Sequence, residues 1–270
     1  MENGIRLVRE ECGVARLVLS RPGKKNALTG KMIREMIGHL ERLQWEPAER
    51  LRFLVLEGEG RFFCSGADLS EMEETGNLSP DENIREAFVL ARLFRELAAL
   101  PFPTMAKVSG GALAGAMGLV SAADIVVAEE TAIFGTPEVR IGLLPAVISL
   151  YLARKVGLSR LAAMSLLGKN FSAGEASSIG LVHHLVPNGQ LDSASAEVER
   201  GLLSCGPEAL RRMKLLLLKI SPLPENEIEE FAATQIAEAR ASGEAAEGFL
   251  ARREKRVPNW VYKKDEDGKA

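Results

Sequence analysis

Two short stretches hold the residues whose types and spacing suit chemistry. The first, "GGALAGAMGLVSAAD" at residues 110 to 124, places four glycines in fifteen positions, just ahead of an apolar run. Glycine inside a helix costs about 1 kcal/mol relative to alanine, so such a cluster needs a reason. A helix start carries unpaired backbone N–H groups and a partial positive charge, and glycine lets a ligand come close to them. That suits an anion or a developing oxyanion. Small residues equally let a helix pack tightly in a core, and the stretch alone fits both uses. The second stretch, "FFCSGADLSEM" at residues 62 to 72, puts another strand-to-helix turn at Ser65, Gly66 and Ala67. Two such turns, each offering one N–H, can grip a single oxygen from two sides.

The remaining reactive side chains read as structural. Cys64 flanks the second turn with no histidine near it in sequence, so it lacks the base a nucleophile needs. Ser65 reads as a turn residue. Asp68, followed by Glu71, reads as a helix N-cap with its reciprocal partner, although it also lies next to the reactive turn. His183 and His184 are adjacent on a strand-like segment and point to opposite faces, which rules them out as a metal pair. His39 sits on a helix, at the surface. No metal-ligand cluster and no nucleotide-phosphate loop is legible.

The elements that must position these turns alternate. "IRLVRE" and "VARLVLS" read as a hairpin, and "RPGKKNALTG" as turn chemistry. Residues 31 to 43 repeat apolar side chains at helical spacing, and "LRFLVLEG" is a buried strand. Residues 72 to 83, polar and acidic, read as a mobile surface loop. A helix follows over 84 to 99, then the strand "TMAKVS", the glycine-rich stretch, the strands "DIVVA" and "AIFG", and the loop "PEVRIGLLP". Residues 146 to 166 are mostly helical and "GLVHHLV" is a short strand; beyond Gly189 only helices are expected. The fold class is therefore α/β, with a core over residues 1–190 and a helical region over 191–270.

Composition narrows the function. The 270 residues are 46% apolar and 26% charged, with a net charge of −3, which suits a globular chain and gives no general reason to expect nucleic acid as a partner. Three scattered cysteines fit a reducing compartment better than a disulfide framework. The start "MENGIRLVREECG" has no signal-like apolar core, and no uncharged run reaches membrane-span length; Gly111 and Gly115 form G-x-x-x-G, but in too short an apolar stretch. A cytoplasmic location, with no membrane contact, is expected.

Four blocks, "SRPGKKNAL", "FFCSGADLSEM", "GGALAGAMGLVSAAD" and "FGTPEVRIGLLP", occur in an order and spacing that resembles the crotonase superfamily of enoyl-CoA hydratases and isomerases. The likeness runs from about residue 4 to residue 260. It implies a spiral of repeated strand–strand–helix units followed by a helical trimerisation region, and a homotrimer or dimer of trimers. It implies an acyl thioester of coenzyme A as substrate, with no separate cofactor and no metal. The two oxyanion-hole donors fall on the backbone N–H groups of Ala67 and Gly115, and one catalytic glutamate position falls on Glu138. Ala27, Leu28, Ser65, Asp68, Leu69 and Gly118 fall where substrate is contacted. Lys24 and Lys25 fall in the turn bordering the CoA entrance. "EGFLARREKRVPNW" resembles the closing CoA-binding segment, in which Lys255 matches a phosphate-contacting lysine and Arg252 stands where many members have a phenylalanine near the adenine.

The chain departs from the two-glutamate hydratases at Gly118, which stands where they carry the second acid. The finer likeness, in "RFLVLEGEGRFFCSGADL", "GLVSAAD" and "PEVRIGLLPAVIS", is to a bacterial methylglutaconyl-CoA hydratase branch that carries glycine there too. A hydratase of a branched or dicarboxylic enoyl-CoA is the leading expectation. A double-bond isomerase using Glu138 alone and a non-catalytic acyl-CoA-binding protein are the alternatives. RNA binding, known for one relative of that branch, is opposed by the acidic balance. Pocket walls are expected from residues 72 to 100 and 140 to 155.

Overall fold

In the computed structural model, which describes residues 4–220 and 224–262, the two alternating segments at the start form an antiparallel hairpin, β1 (Ile5–Arg9) and β2 (Val14–Leu19). Helix α1 (Gly30–Leu43) follows, then β3 (Phe53–Gly58), α2 (Leu69–Gly76) and α3 (Pro80–Ala99). The middle of the chain runs β4 (Thr104–Val108), β5 (Gly111–Leu113), α4 (Gly115–Ala122), β6 (Ile125–Glu129), β7 (Ile133–Gly135), α5 (Ala146–Val156), α6 (Leu158–Leu167), β8 (Asn170–Ser172), α7 (Ala173–Ser178) and β9 (His184–Val186). Four helices complete the described chain: α8 (Leu191–Ser204), α9 (Pro207–Ile220), α10 (Glu225–Arg240) and α11 (Gly243–Glu254). The expected switch to helices after Gly189 is what the described residues show.

The main sheet has the order β1-β2-β3-β4-β6-β9, parallel from β2 onward, and a small sheet has the order β5-β7-β8. Successive strand–strand–helix units, β4-β5-α4 and β6-β7-α5, give their first strand to the main sheet and their second to the small one. A strand covered on both faces needs no polar alternation. In β3, Leu54 and Leu56 join the core with Met36, Leu40, Leu97 and Met117, while Phe53 and Val55 face the opposite way, onto Leu191 and the half-buried Val198 and Leu202 of α8.

The helical region is held to that second face by polar anchors. The Arg52 guanidinium donates to the carbonyls of Leu203, Cys205 and Trp260, and the buried Lys214 ammonium donates to Phe102 O and to Asp124 Oδ2 at 2.7 Å. Arg16 pairs with both carboxylate oxygens of Glu199. Residues 1–3 and 263–270, the ends of the two regions drawn from sequence, lie outside the described residues.

Three sequence expectations are corrected. Residues 72 to 83 are mostly helix: α2 runs to Gly76, and α3 starts at Pro80 behind a capping box in which Ser79 and Glu82 satisfy each other's backbone N–H groups. Asp68 does cap α2, accepting from Ser70 N at 3.0 Å, but Glu71 is not its reciprocal partner. The Glu71 carboxylate reaches α1 and accepts from Gly30 N at 2.6 Å. "PEVRIGLLP", expected as a loop, contains a short 3-10 turn over Pro137–Ile141. His183 is structural, as expected: its Nδ1 accepts from Val126 N at 2.9 Å, and burial pushes its pKa down to about 4.

Candidate active site

The two reactive turns are pressed against each other. Cys64 pairs with β5, donating to Gly111 O and accepting from Leu113 N, both at 3.2 Å. The chain then turns at Gly66, whose φ of +97° is natural for glycine alone. A Cβ there would stand 2.8 Å from Leu113 O and 3.2 Å from Gly115 N, so only glycine allows this approach. On either side of Ala67 the backbone is committed: Leu28 N donates to Gly66 O and Asp68 N donates to Leu28 O, both at 2.8 Å. The Ala67 N–H between them has no acceptor among the described residues.

The second turn is strained. Ala114 holds φ 49° and ψ −126°, a region alanine rarely adopts, and is fixed there by its N–H on Gly135 O at 2.9 Å. This delivers Gly115 to the first position of α4, where its N–H has no intrahelical partner and none elsewhere among the described residues. A Cβ on Gly115 would stand 3.6 Å from Ala67 N, so the two turns that carry the free donors lie side by side.

Glu138 emerges from the same end of the small sheet. β5 and β7 run parallel, with Leu113 beside Gly135. Two residues past Leu113 lies Gly115; three past Gly135 lies Glu138. Pro137 opens the 3-10 turn and Gly142, at φ +76°, closes it, while Leu143 N donates to the Glu138 carbonyl at 3.0 Å. The Glu138 side chain is buried and its Oε2 has no partner, the one such carboxylate oxygen among the described residues. Burial raises its pKa above the ordinary glutamate range. An unsatisfied buried acid is costly, and a catalytic role is one recognised reason for keeping one.

Gly118 is no vacancy. A Cβ there would lie 2.5 Å from Phe94 Cζ and 2.7 Å from Ile148 Cγ2. Both side chains are buried, and the Phe94 ring meets Tyr151 edge-on at 6.0 Å. Any side chain at position 118 would therefore have to displace Phe94 and Ile148, and the structure holds no second carboxylate there. Phe94 and Ile148 lie within the wall segments expected from sequence, but nothing in the sequence says which apolar side chain fills the space over a glycine.

The other sequence candidates sort into two places. Lys24, Lys25, Ala27, Leu28, Ser65, Asp68 and Leu69 belong to the first turn and the segment hydrogen-bonded to it. Ala27 and Leu28 are buried, and Leu28 meets the turn through its backbone; Ser65 N donates to Lys25 O, and Lys24 and Leu69 are exposed. Lys25 lies 5.5 Å over the Phe62 ring. The Asp68 carboxylate is already engaged by Arg21 at 2.5 Å as well as by its cap bond. Cys64 is sealed in, donating to Asn26 O, and burial pushes its thiol up to about 12, far from a thiolate. Lys255 is exposed at the end of α11, and no hydrogen bond or ion pair among the described residues ties it to the hole. Arg252 lines a separate cleft of about 380 Å³ with Arg212, Phe249 and Trp260. No group of three or more potential metal ligands occurs among the described residues, and no described helix is long and apolar enough to cross a membrane.

Known proteins match this arrangement along nearly its whole length. The profile of the enoyl-CoA hydratase/isomerase family matches residues 9–263. The 2,3-dehydroadipyl-CoA hydratase of Escherichia coli is 30% identical over 94% of this chain and 97% of its own. A crystal structure of an enoyl-CoA hydratase from Shewanella pealeana superposes with a TM-score of 0.89 at 34% identity, covering 96% of this chain and 97% of that one. Pseudomonas aeruginosa AtuE gives 0.92 at 31% identity, covering 96% and 100%. With the crotonase fold and a family match along most of its length, the protein belongs to the enoyl-CoA hydratase/isomerase family and is a hydratase or isomerase of acyl-CoA thioesters.

Proposed function

We propose that this enzyme hydrates a branched or dicarboxylic enoyl-CoA, of the methylglutaconyl-CoA kind, with Glu138 as its one acid–base group. The thioester oxygen accepts from Ala67 N and Gly115 N. Water adds to the β carbon and gives its proton to the Glu138 carboxylate, while electrons move through the double bond onto the thioester oxygen. The resulting enolate is held by two fixed donors, each of them worth about 3 kcal/mol in the transition state. Glu138 then returns the proton to the α carbon and the enolate collapses. Glu138 ends as it began, so no cofactor is needed beyond the CoA carried by the substrate.

The observation that carries this reading is the unpartnered Glu138 Oε2 at the sheet end that also presents two free N–H groups. Its raised pKa suits a group that must both take and return a proton. The dicarboxylic choice draws support from the E. coli relative, named for a dicarboxylic enoyl-CoA. Exposed Met213, Leu217 and Ile220 on α9 suit assembly into a trimer or dimer of trimers.

The apolar wall over Gly118 favours a second reading, double-bond isomerisation, in which Glu138 moves one proton between the α and γ carbons and no water is held. Incubation with 3-methylglutaconyl-CoA, crotonyl-CoA and 3-hexenoyl-CoA in heavy-oxygen water separates the two. Heavy oxygen gained by the first product supports hydration. A shifted double bond without oxygen gain replaces it with isomerisation. No reaction with any of the three favours an acyl-CoA-binding protein without catalysis.

A further inference from the structure

We infer that Ala114 is a positioning residue: its methyl group, held in a backbone conformation that only glycine adopts freely, props the two donor turns apart and fixes the direction of the Gly115 N–H. This rests on the proposed site, with the thioester oxygen between Ala67 N and Gly115 N. At φ 49° and ψ −126°, Ala114 lies where a Cβ crowds its own backbone. Lys25, Asn26 and Lys255 are the other described residues besides glycine with positive φ. Lys25 and Lys255 are ordinary left-handed caps, with ψ of 37° and 35°. Ala114, with its strongly negative ψ, is not.

Both ends of the residue are tied. Its N–H donates to Gly135 O of β7 at 2.9 Å, and its carbonyl accepts from Met117 N in the first turn of α4 at 2.8 Å. The Ala114 carbonyl and the Gly115 N–H share one planar peptide and point opposite ways. With the carbonyl bound into the helix, the N–H points out of the helix start. The ψ of Ala114 sets that plane and so aims the donor. The methyl completes the setting. A Cβ on Gly66 would stand 2.9 Å from the Ala114 Cβ, so the methyl fills the space that Gly66 leaves open beside the first turn. Ala67, Ala114 and Gly115 are half-buried, whereas Ala112 and Ala116 on either side are fully buried. The strained residue thus lies at the accessible part of the turn. Strain held in place from both sides is the pattern of a site where geometry outweighs stability. A glycine at 114 would keep both hydrogen bonds and lose both the strain and the prop.

The test compares the full chain as wild type, Ala114→Gly and Ala114→Ser. Each binds butyryl-CoA carrying carbon-13 at its carbonyl, which needs no turnover, and the carbonyl resonance reports how strongly the hole polarises it. Thermal unfolding and turnover of the enoyl-CoA that reacts in the heavy-oxygen assay are measured alongside. In Ala114→Gly the melting temperature is expected to hold or rise, because release of strain offsets the greater freedom of the unfolded glycine. The carbonyl shift on binding is expected to fall to about half, as one donor of two goes out of line, and kcat to fall about tenfold with KM within about twofold. Ala114→Ser keeps the Cβ and is expected to keep the wild-type shift and rate. A wild-type shift and rate in Ala114→Gly overturn the inference and leave the function intact. So does a melting temperature that falls together with the rate, which marks ordinary packing, and so does a serine variant that behaves like the glycine one. A wild-type enzyme that fails to bind butyryl-CoA, or binds it without moving the carbonyl resonance, overturns the site assignment and the proposed function with it.

Discussion

Gly115 and Gly118 lie one helical turn apart on α4 and look alike in sequence, yet their surroundings are opposite. A side chain at 115 would look onto the free N–H of Ala67 at 3.6 Å, an ordinary contact distance. A side chain at 118 would strike Phe94 at 2.5 Å. On the proposed function the first glycine keeps room for a substrate oxygen, while the second makes room for a neighbouring side chain. One motif would then serve both uses that the glycine-rich stretch left open, catalysis in its first turn and packing in its second.

The comparison breaks if the chemistry is not centred on the first turn. Glu138→Gln keeps the shape of the side chain and removes its proton transfer. Turnover is expected to fall by about 10²- to 10⁴-fold, with acyl-CoA binding retained. The same variant carries a pH signature in stability. Burial raises the Glu138 pKa in the folded state above its unfolded value. Its contribution to stability is therefore complete below the unfolded pKa and is lost as pH rises through the folded one. Melting curves of Glu138→Gln against wild type are expected to coincide in acid and to diverge above that range, with the variant the more stable. Divergence in the other direction contradicts a desolvated carboxyl.

Alanine at each glycine sharpens the contrast. Gly115→Ala places a methyl group where the thioester oxygen must sit, about 3 Å from its donors. The backbone at 115 suits alanine, and a helix favours it by up to about 1 kcal/mol, so the melting temperature is expected to hold or rise. Turnover is expected to drop by about 10²-fold or more, the cost of losing one oxyanion donor. Gly118→Ala should do the reverse. It overpacks a closed core and is expected to cost about 1–3 kcal/mol of stability, read by denaturant unfolding, with turnover per folded molecule changed only a few fold. Loss of both properties in one variant, or of the same property in both, dissolves the distinction.

Sequence showed why these residues matter but not how they meet. Period-2 and period-3.6 patterns marked the hairpin, α1 and β3 because each buries one stripe or two full faces. The two turns were legible as strand-to-helix turns rich in small residues, and Gly66 does hold a positive φ; at the second turn the positive φ falls on Ala114, which the sequence did not single out. Residues 72 to 83 misled because polar composition describes the solvent face of α2 and α3, not their backbone; the Ser79–Glu82 capping box was the available signal. The plug over Gly118 was illegible in principle. Phe94 and Ile148 are ordinary core positions on α3 and α5, and only the packing of those helices on α4 brings them to the glycine.

The smallest effect concerns how the first turn is held. Asp68 caps α2 through Ser70 N and binds Arg21, so one carboxylate fixes the helix that leaves the hole to the turn that precedes it. Glu71 does the same from the next turn, binding Gly30 N at the head of α1. Neither carboxylate is left free for a reactant, which separates them from Glu138. Losing a cap costs about 1 kcal/mol, so Asp68→Ala is expected to lower stability by that amount at neutral pH. The Arg21 hydrogen bond holds the Asp68 pKa below the ordinary range, so this contribution is present above the unfolded pKa and is lost as pH falls through the folded one. The gap between wild type and variant should close in acid. Turnover should fall severalfold through loosening of Ala67, rather than by the orders of magnitude expected at Glu138. A loss as large as that of Glu138→Gln would instead give Asp68 a direct part in the reaction, and the boundary between holding the turn and doing the chemistry would have to be drawn one residue further along the chain.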